Sequence, residues 1–227
     1  MSIFVCSDLH LSHIQPFVWE SRGFTSPDHM NEEIIKRWNE VVTDEDEVWV
    51  LGDLMMNDNE KGAAALRQLK GKIHVVAGNH CTDARIAIYK ELGYDVQFAA
   101  RIKYKKKLFM LSHYPMLTGN GEDKCWLATW NLYGHTHQQE NFSDTVKFGY
   151  HVGMDSHDCR PVKLDDIIEE IDAHWKNLEI GATEEDEEKI IEEIYEDLEM
   201  AGHDIFKGHA AQRDVARHLT YLGYRKD

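Results

Sequence analysis

Short apolar runs alternate with stretches of helical spacing along the first 93 residues of the chain. The apolar runs are rich in β-branched residues and predict strands over residues 3–7, 48–51 and 73–77. Apolar residues at helical spacing predict intervening helices that begin at Ser26-Pro27, span residues 63–69, and begin at Thr82. A helix from Thr82 is expected to stop at Gly93, a residue suited to the turn that follows a helix.

The next part of the chain is richer in strand patterns. Residues 96–104 and 108–112 are predicted to form a hairpin around residues 105–107, and further strands are predicted over residues 130–133 and 145–152. The order strand-helix-strand-helix-strand, followed by more strands, predicts an α/β layered fold with mixed sheets.

The C-terminal part differs in its pattern and charge. Helices are predicted over residues 165–178, 184–200 and 210–222. Residues 164–199 contain 16 acidic and 2 basic side chains, whereas the rest of the chain contains 25 acidic and 23 basic ones. The formal net charge of −16 is therefore a local property of this segment. It does not imply that the rest of the protein repels phosphate-bearing substrates.

Length, hydropathy and cysteine content narrow the class of protein. No apolar run approaches the ~18 residues of a membrane span, and no secretory signal pattern is visible, so a cytoplasmic protein without membrane association is expected. The four cysteines, Cys6, Cys81, Cys125 and Cys159, are far apart. In a reducing compartment they are expected to be free thiols, not disulfides or zinc ligands.

Polar residues follow the ends of five apolar strands or segments. These residues are Asp8 and His10, Asp53, Asn79 and His80, His113, and His135 and His137. Because the carboxyl ends of strands in an open α/β sheet face one crevice, we expect these side chains to converge. Carboxylates, an amide oxygen and imidazoles suit Mn²⁺, Fe or Zn²⁺. The set is large enough for two ions joined by a bridging carboxylate and a bridging hydroxide.

Each of these motifs has an ordinary structural explanation when it is considered alone. The sequence D-L-H is typical of a capped loop, L-G-D of a strand-to-turn junction, and G-N-H of a turn. The segment G-H-T-H is more specific, since two residues at i and i+2 of an extended segment can approach one site. The occurrence of all five in series favours a shared metal site.

The series D-x-H, G-D, G-N-H, a strand ending in His, and G-H-x-H resembles the signature of the calcineurin-like metallophosphoesterases. The resemblance extends over about residues 1–163 and is closest to small bacterial and phage members. It implies a four-layer α/β/β/α sandwich over residues 1–163, followed by an acidic helical extension over residues 164–227.

The resemblance also implies roles for individual residues. The first metal ion is expected to be held by Asp8, His10, Asp53 and His137. Asp53 is expected to bridge to a second ion, whose other ligands are Asn79, His113 and His135. His80 is expected to lie over the phosphate of the substrate, where it neutralises charge and protonates the leaving group.

The chain departs from the family pattern at one position, because Cys81 stands where an acidic residue often follows the G-N-H motif. His80 therefore lacks an adjacent carboxylate, and Asp83 is the substitute that the sequence offers. Cys81 is expected to be a small buried residue and not a nucleophile.

Weaker signals concern contacts with the substrate and support of the ligands. For His13, a substrate contact and an exposed loop histidine are both compatible with the sequence. Arg22 is either a cleft residue that binds substrate or an unpaired surface arginine. His151 and Asp155 are candidates for supporting the ligand histidines.

The function expected from these features is hydrolysis of phosphate esters, mainly phosphodiesters, by a metal-bridging hydroxide. Two divalent ions are expected, with Mn²⁺ as the first choice and Fe, Zn or Ni as alternatives. The substrate would be a small molecule, a nucleotide or a nucleic-acid end. Two other functions stay open: a phosphomonoesterase or protein phosphatase with the same site, and a non-catalytic scaffold that binds a partner through the acidic tail.

The C-terminal helices allow three interpretations. They could cover a sheet edge, form an oligomer or protein-partner surface, or form a cap that excludes bulky substrates.

Overall fold

The computed structural model describes residues 1–116, 129–143, 146 and 148–181. The chain divides into two compact units, Met1–Glu169 and Glu170–Asp227, and the fold described below is that of the first unit. The helices predicted over residues 184–200 and 210–222 lie outside the described residues.

The first sheet contains the strands of the predicted strand-helix-strand series. Its strands are β1 (Ile3–Cys6), β2 (Glu47–Val50), β3 (Lys72–Val76), β4 (Asp95–Gln97) and β9 (Val162–Lys163). Their spatial order is β4-β3-β2-β1-β9. β1 to β4 are parallel, and β9 is antiparallel to β1. Each predicted strand of this series is confirmed to within one residue at its ends.

Helices α1 (Pro16–Trp19), α2 (Pro27–Val41), α3 (Asn59–Leu66) and α4 (Asp83–Glu91) connect these strands. The predicted starts of α2 and α4 are confirmed, because the side chains of Ser26 and Thr82 accept hydrogen bonds from main-chain N–H groups of the first turn. α3 begins earlier than predicted because Asp58 caps it through the main-chain nitrogen of Lys61.

Both faces of the first sheet are covered. Alternate strand residues such as Cys6, Val50 and Val75 share a core with Ile34 and Trp38 of α2. The intervening residues of the same strands, which include Val5, Trp49 and Val76, face the other way and are also buried. Coverage of both faces explains why these strands are continuous apolar runs rather than alternating ones.

The second sheet contains β5 (Ala100–Tyr104), β6 (Lys107–Leu111), β7 (Thr129–Tyr133) and β8 (Gly149–His151), in that order. β5 and β6 form the predicted hairpin, whereas β6, β7 and β8 are parallel. The prediction of one strand over residues 96–104 was wrong. β4 pairs with β3 in the first sheet, β5 pairs with β6 in the second, and the exposed Phe98 lies between them.

Helix α5 (Leu164–Gly181) follows β9 and matches the prediction for residues 165–178. Leu164, Ile167 and Ile168 are buried at the i, i+3, i+4 spacing of an amphipathic helix. None of the helices within the described residues is both long enough and apolar enough to cross a membrane. The two mixed sheets and their helices form the predicted α/β/β/α sandwich.

Candidate metal centre

The polar residues predicted to converge do lie together, at the carboxyl ends of strands from both sheets. Asp8, Asp53 and Asn79 follow β1, β2 and β3 of the first sheet. His113 follows β6, and His135 and His137 follow β7 of the second sheet. Because β1 to β3 are parallel, as are β6 and β7, their carboxyl ends gather the side chains at one edge of each sheet.

Asp8, His10 and His137 form the first candidate group. Asp8 Oδ1 lies 3.8 Å from His10 Nε2 and 3.9 Å from His137 Nε2, and the two histidine nitrogens are 3.1 Å apart. Burial, together with the nearby charge of Arg22, lowers the pKa of His10 well below its usual value, so its ring is neutral. A neutral imidazole offers a lone pair to a metal.

Asp53, Asn79, His113 and His135 form the second candidate group. Asn79 Oδ1 lies 2.7 Å from His113 Nε2 and 3.1 Å from His135 Nδ1. Asp53 Oδ2 lies 3.5 Å from His113 Nε2. Asn79 Oδ1 therefore lies between the His113 and His135 rings, and Asp53 Oδ2 approaches the His113 ring from its own strand end.

The short contacts within both groups are compatible with divalent cations. Two ligands each about 2.1 Å from one ion cannot be more than about 4.2 Å apart, and the distances above meet this limit. Asp8 Oδ1 is buried and lacks a hydrogen-bond partner among the described residues. Burial raises the pKa of Asp8. A bound cation would compensate the cost of burying this oxygen.

The two groups adjoin through Asp8. Ligand atoms of Asp8, Asp53 and His113 lie within 4.8 Å of one another, as do those of Asp8, His10 and His137. Asp8 belongs to both of these sets of three residues. The assignment of Asp53 as the bridging ligand stays a prediction.

The main chain adopts a left-handed conformation at five of the candidate ligands. The φ angles are 59° at Asp8, 50° at His10, 53° at Asp53, 67° at His135 and 50° at His137. Such angles are uncommon outside glycine and cost of the order of 1–3 kcal/mol each, although Asp and His tolerate them better than most residues. Strain of this kind concentrates at functional sites, where the surrounding fold holds it in place.

The glycines that precede the ligands leave room for the ligand side chains, because they have no Cβ atom. Of Gly52, Gly78 and Gly134, only Gly52 has a positive φ. A Cβ atom at Gly134 would collide with the side chains of Ser7 and Asp8. At Gly78 it would collide with Asp53. The ligand carboxylates therefore lie directly against the main chain at these positions.

Hydrogen bonds on the far side of two histidine rings set their orientation. His137 Nδ1 lies 2.8 Å from Asp155 Oδ2, and His113 Nδ1 lies 2.8 Å from the carbonyl oxygen of Leu51. Both partners are acceptors, so Nδ1 carries the proton and the lone pair of Nε2 faces the site. The predicted support by Asp155 agrees with this contact, whereas His151 pairs with Ser156 Oγ at 2.9 Å.

Arg22 occupies a different place from the one predicted. Its side chain is 2% exposed and forms an ion pair of 2.9 Å with Asp155, which is 6% exposed. The interpretation as an unpaired surface arginine is therefore wrong, and the described hydrogen bonds of Arg22 are all to the protein itself. Sequence spacing offered no signal for this pair, because the two residues are 133 positions apart.

His80 lies at the edge of the second group, with a side chain that is 40% exposed. Its main-chain nitrogen donates a 2.9 Å hydrogen bond to Asp53 Oδ1, and its ring Nε2 is 3.9 Å from Asp53 Oδ2. Arg85 donates to the carbonyl oxygen of His80 over 2.7 Å. Asp53 and Arg85 thus hold the G-N-H turn from both sides.

Cys81 packs against the core next to this turn. Its sulfur accepts a hydrogen bond from the main-chain nitrogen of Gly78, and burial raises the pKa of its thiol. These contacts support the prediction of a small structural residue rather than a nucleophile, since a nucleophile would need a thiolate.

His13 is only 7% exposed, so the interpretation as an exposed loop histidine was wrong. Its ring centroid lies 5.4 Å from that of His10, and Nδ1 accepts a hydrogen bond from the main-chain nitrogen of Gln15. The substrate contact proposed for His13 stays a prediction.

Comparison with known proteins gives a consistent result. The family model of the calcineurin-like phosphoesterase superfamily domain matches residues 1–149. An uncharacterized protein of Methanocaldococcus jannaschii is 30% identical over 179 residues, which cover 75% of this chain and 91% of that protein. The gene 66 protein of Mycobacterium phage D29 is 29% identical over 197 residues, with coverage of 74% and 94%.

A solved structure shares the fold. A protein of unknown function from Aquifex aeolicus superposes with a TM-score of 0.57 at 19% identity, over 74% of this chain and 98% of that one. Since the family model matches well over half of the chain and a 30% identical relative covers three quarters of it, the chain belongs to the calcineurin-like phosphoesterase superfamily.

Proposed function

We propose that this phosphoesterase depends on a pair of divalent metal ions and acts mainly on phosphodiesters. Membership of the superfamily implies a phosphate ester as substrate. The proposal adds the number of ions, the preference for diesters, and Mn²⁺ as the working metal, with Fe, Zn and Ni as alternatives.

The observation that carries the proposal is the environment of Asp8. Its Oδ1 atom is buried without a hydrogen-bond partner among the described residues, and it faces two histidine nitrogens less than 4 Å away. A carboxylate oxygen in that position is costly unless a cation compensates it. Asp53 and His113 of the second group lie beside it, with ligand atoms within 4.8 Å of the same carboxylate.

The residues of the two groups would divide the metal ligands between them. In the first group Asp8, His10 and His137 would hold one ion together with Asp53. In the second group Asn79, His113 and His135 would hold the other, with Asp53 again as a ligand. When bound, such a pair of ions stabilises negative charge on phosphoryl oxygens and makes hydroxide available near neutral pH.

His80 is the residue proposed to act on the substrate directly. Its ring is partly exposed while its main chain is held by Asp53, so it would meet a phosphate group from a defined position. From there it would neutralise charge on a phosphoryl oxygen and donate a proton to the leaving alkoxide. His13 is a weaker candidate for a substrate contact, on the side of the first group.

The proposal is tested by comparing hydrolysis of an aryl phosphodiester with that of the matching monoester. Metal-stripped protein is supplemented with Mn²⁺, and the Asp53→Ala variant serves as the inactive form. Asp28→Ala is the matched control, since Asp28 is 62% exposed on α2. We expect turnover of the diester that requires Mn²⁺, disappears in Asp53→Ala, and persists in Asp28→Ala.

Other outcomes would assign a different function. Preference for the monoester would favour a phosphomonoesterase or a protein phosphatase. Failure to turn over either ester despite bound Mn²⁺ would contradict the broad diester activity proposed here. Failure to bind Mn²⁺ at all would contradict the metal centre itself.

A further inference from the structure

The guanidinium group of Arg22 uses all of its donors inside the protein. Nε and Nη2 donate to the two carboxylate oxygens of Asp155, both over 2.9 Å. Nη2 also donates to the carbonyl oxygen of Asp8 over 2.8 Å, and Nη1 to that of Leu9 over 3.1 Å. Nη1 further approaches the sulfur of Met30 at 3.9 Å. Arg22 therefore has no donor left for a substrate.

Stability alone does not explain a buried pair of this kind. Removing two charges from water is costly, and replacing such a pair by apolar side chains is often neutral or stabilising. A planar guanidinium that binds both oxygens of a carboxylate, in contrast, fixes the orientation of that carboxylate. The pair of Arg22 and Asp155 is therefore better explained by the geometry that it imposes.

One consequence concerns the His137 ring. Both oxygens of Asp155 accept hydrogen bonds from the Arg22 guanidinium, and Oδ2 also lies 2.8 Å from His137 Nδ1. A carboxylate paired with a guanidinium only accepts hydrogen bonds, so the proton of His137 stays on Nδ1. The Nε2 atom of His137 is then available on the side of Asp8 and His10.

A second consequence concerns the main chain of Asp8. Asp8 and His10 both adopt left-handed φ angles, and Leu9 lies between them. Arg22 donates to the carbonyl oxygens of Asp8 and Leu9, within this strained segment. The same guanidinium thus holds Asp8 through its main chain and His137 through Asp155.

We propose that Arg22 is a positioning residue that assembles the first metal-binding group and has little influence on the second. This inference rests on the proposed metal centre. It predicts that loss of Arg22 weakens binding of one ion of the pair much more than the other. Asn79, His113 and His135 have no direct contact with the Arg22 side chain among the described hydrogen bonds and ion pairs, so the second ion is expected to stay bound.

The test is titration of metal-stripped full-length protein with Mn²⁺ by calorimetry, for wild type, Arg22→Lys and Arg22→Met. We expect wild type to bind two ions and Arg22→Met to bind one with unchanged affinity and the other about 10–100-fold more weakly. Arg22→Lys should give an intermediate loss of Mn²⁺ affinity. An ammonium group keeps the positive charge but cannot donate two parallel hydrogen bonds to one carboxylate. The control is Arg37→Met, because Arg37 pairs with the exposed Asp158 through a 2.9 Å contact.

A further variant identifies the ion that is lost. Asn79→Ala removes a ligand of the second group only, and its combination with Arg22→Met should abolish tight binding of both ions. If Arg22→Met fails to fold by circular dichroism, Arg22→Lys, which keeps a positive charge beside Asp155, becomes the test variant and should show the same selective loss to a smaller degree.

The outcomes separate this inference from the proposed function. Absence of Mn²⁺ binding in wild type would overturn the metal centre and this inference with it. If wild type binds two ions and Arg22→Met binds both with unchanged affinity, the positioning role is overturned. The same holds if both affinities fall by the same factor. Either result would leave the metal centre standing.

Discussion

The main-chain nitrogen of His135 donates a hydrogen bond to Asp8 Oδ2 over 2.8 Å. Asp8 follows β1 of the first sheet and His135 follows β7 of the second, so this bond joins the two sheets at the candidate metal centre. A main-chain bridge between Ser7 and Gly153 lies on the same junction. The protein therefore brings ligands from both sheets together through its own hydrogen bonds.

Gly134 is the point at which this junction is most sensitive to substitution. In Gly134→Ala the new methyl group would collide with Ser7 and Asp8, so we expect a loss of about 1–3 kcal/mol in the free energy of unfolding and at least a tenfold weaker affinity for Mn²⁺. Urea unfolding and calorimetric titration measure the two effects.

Gly93→Ala is the matched control for this variant. Gly93 has a φ of 83° but no atom near its would-be Cβ. It should lose about 1–2 kcal/mol through left-handed strain while its Mn²⁺ affinity stays at the wild-type value. Unchanged Mn²⁺ binding in Gly134→Ala would contradict the close packing of the ligands at this glycine.

Metal binding should also stabilise the folded protein. At a free Mn²⁺ concentration about 100-fold above the dissociation constant, the gain is about 2.7 kcal/mol, which raises the melting temperature by roughly 5–10 °C. EDTA should reverse the shift. In Asp8→Asn most of this rise in melting temperature should vanish. The control variant Asp28→Asn, changed at an exposed position, should show the full rise. A full shift in Asp8→Asn would remove Asp8 from the ligand set.

His80→Ala should separate catalysis from metal binding. Because His80 is proposed to act on the substrate, we expect kcat to fall about 10²–10⁴-fold while two Mn²⁺ ions stay bound. Steady-state kinetics and metal analysis of the same preparation measure both quantities, and His29→Ala in α2 serves as the control. A large loss of Mn²⁺ in His80→Ala would instead make His80 a ligand.

The buried His151 should make the stability of the fold depend on pH. Burial lowers the pKa of His151 to about 4, from about 6.5 in the unfolded chain. Between these values the unfolded chain binds more protons at this residue, so stability is lost as the pH falls from 6.5 towards 4 and is complete above 6.5.

This pH dependence is measured by urea unfolding at pH 7 and pH 4.5 for wild type and His151→Gln. The decrease in the free energy of unfolding should be roughly 2–3 kcal/mol larger for wild type, because glutamine does not titrate. Equal decreases in the two proteins would show that His151 does not set this part of the pH dependence.

Local physics explains which parts of this protein could be predicted from its sequence. The starts of α2 and α4 depend on Ser26 and Thr82, which accept hydrogen bonds from residues only three positions further on. The buried strands are visible as apolar runs because both faces of the first sheet are covered. The candidate site could be predicted for a similar reason, since each ligand lies within four residues of the end of a strand.

Other features depended on pairings between distant residues. The division of residues 96–104 into β4 and β5 results from pairing with β3 in one sheet and β6 in the other, and the same residues would allow one longer strand. The left-handed angles at Asp8 and His135 also depend on the contacts that hold them, because nothing in their neighbours requires such strain.

The sequence by itself therefore determined β1, β2 and β3, the starts of α2 and α4, and the residue types that meet at the strand ends, since these depend on periodicity, caps and strand direction. Only the tertiary structure decided that Arg22 lies beneath the site rather than at its surface. Its partner Asp155 is 133 positions away, and a local pattern contains no information about a contact at that separation. The buried Asp8 oxygen and the two histidines that face it became visible only in the folded chain, for the same reason.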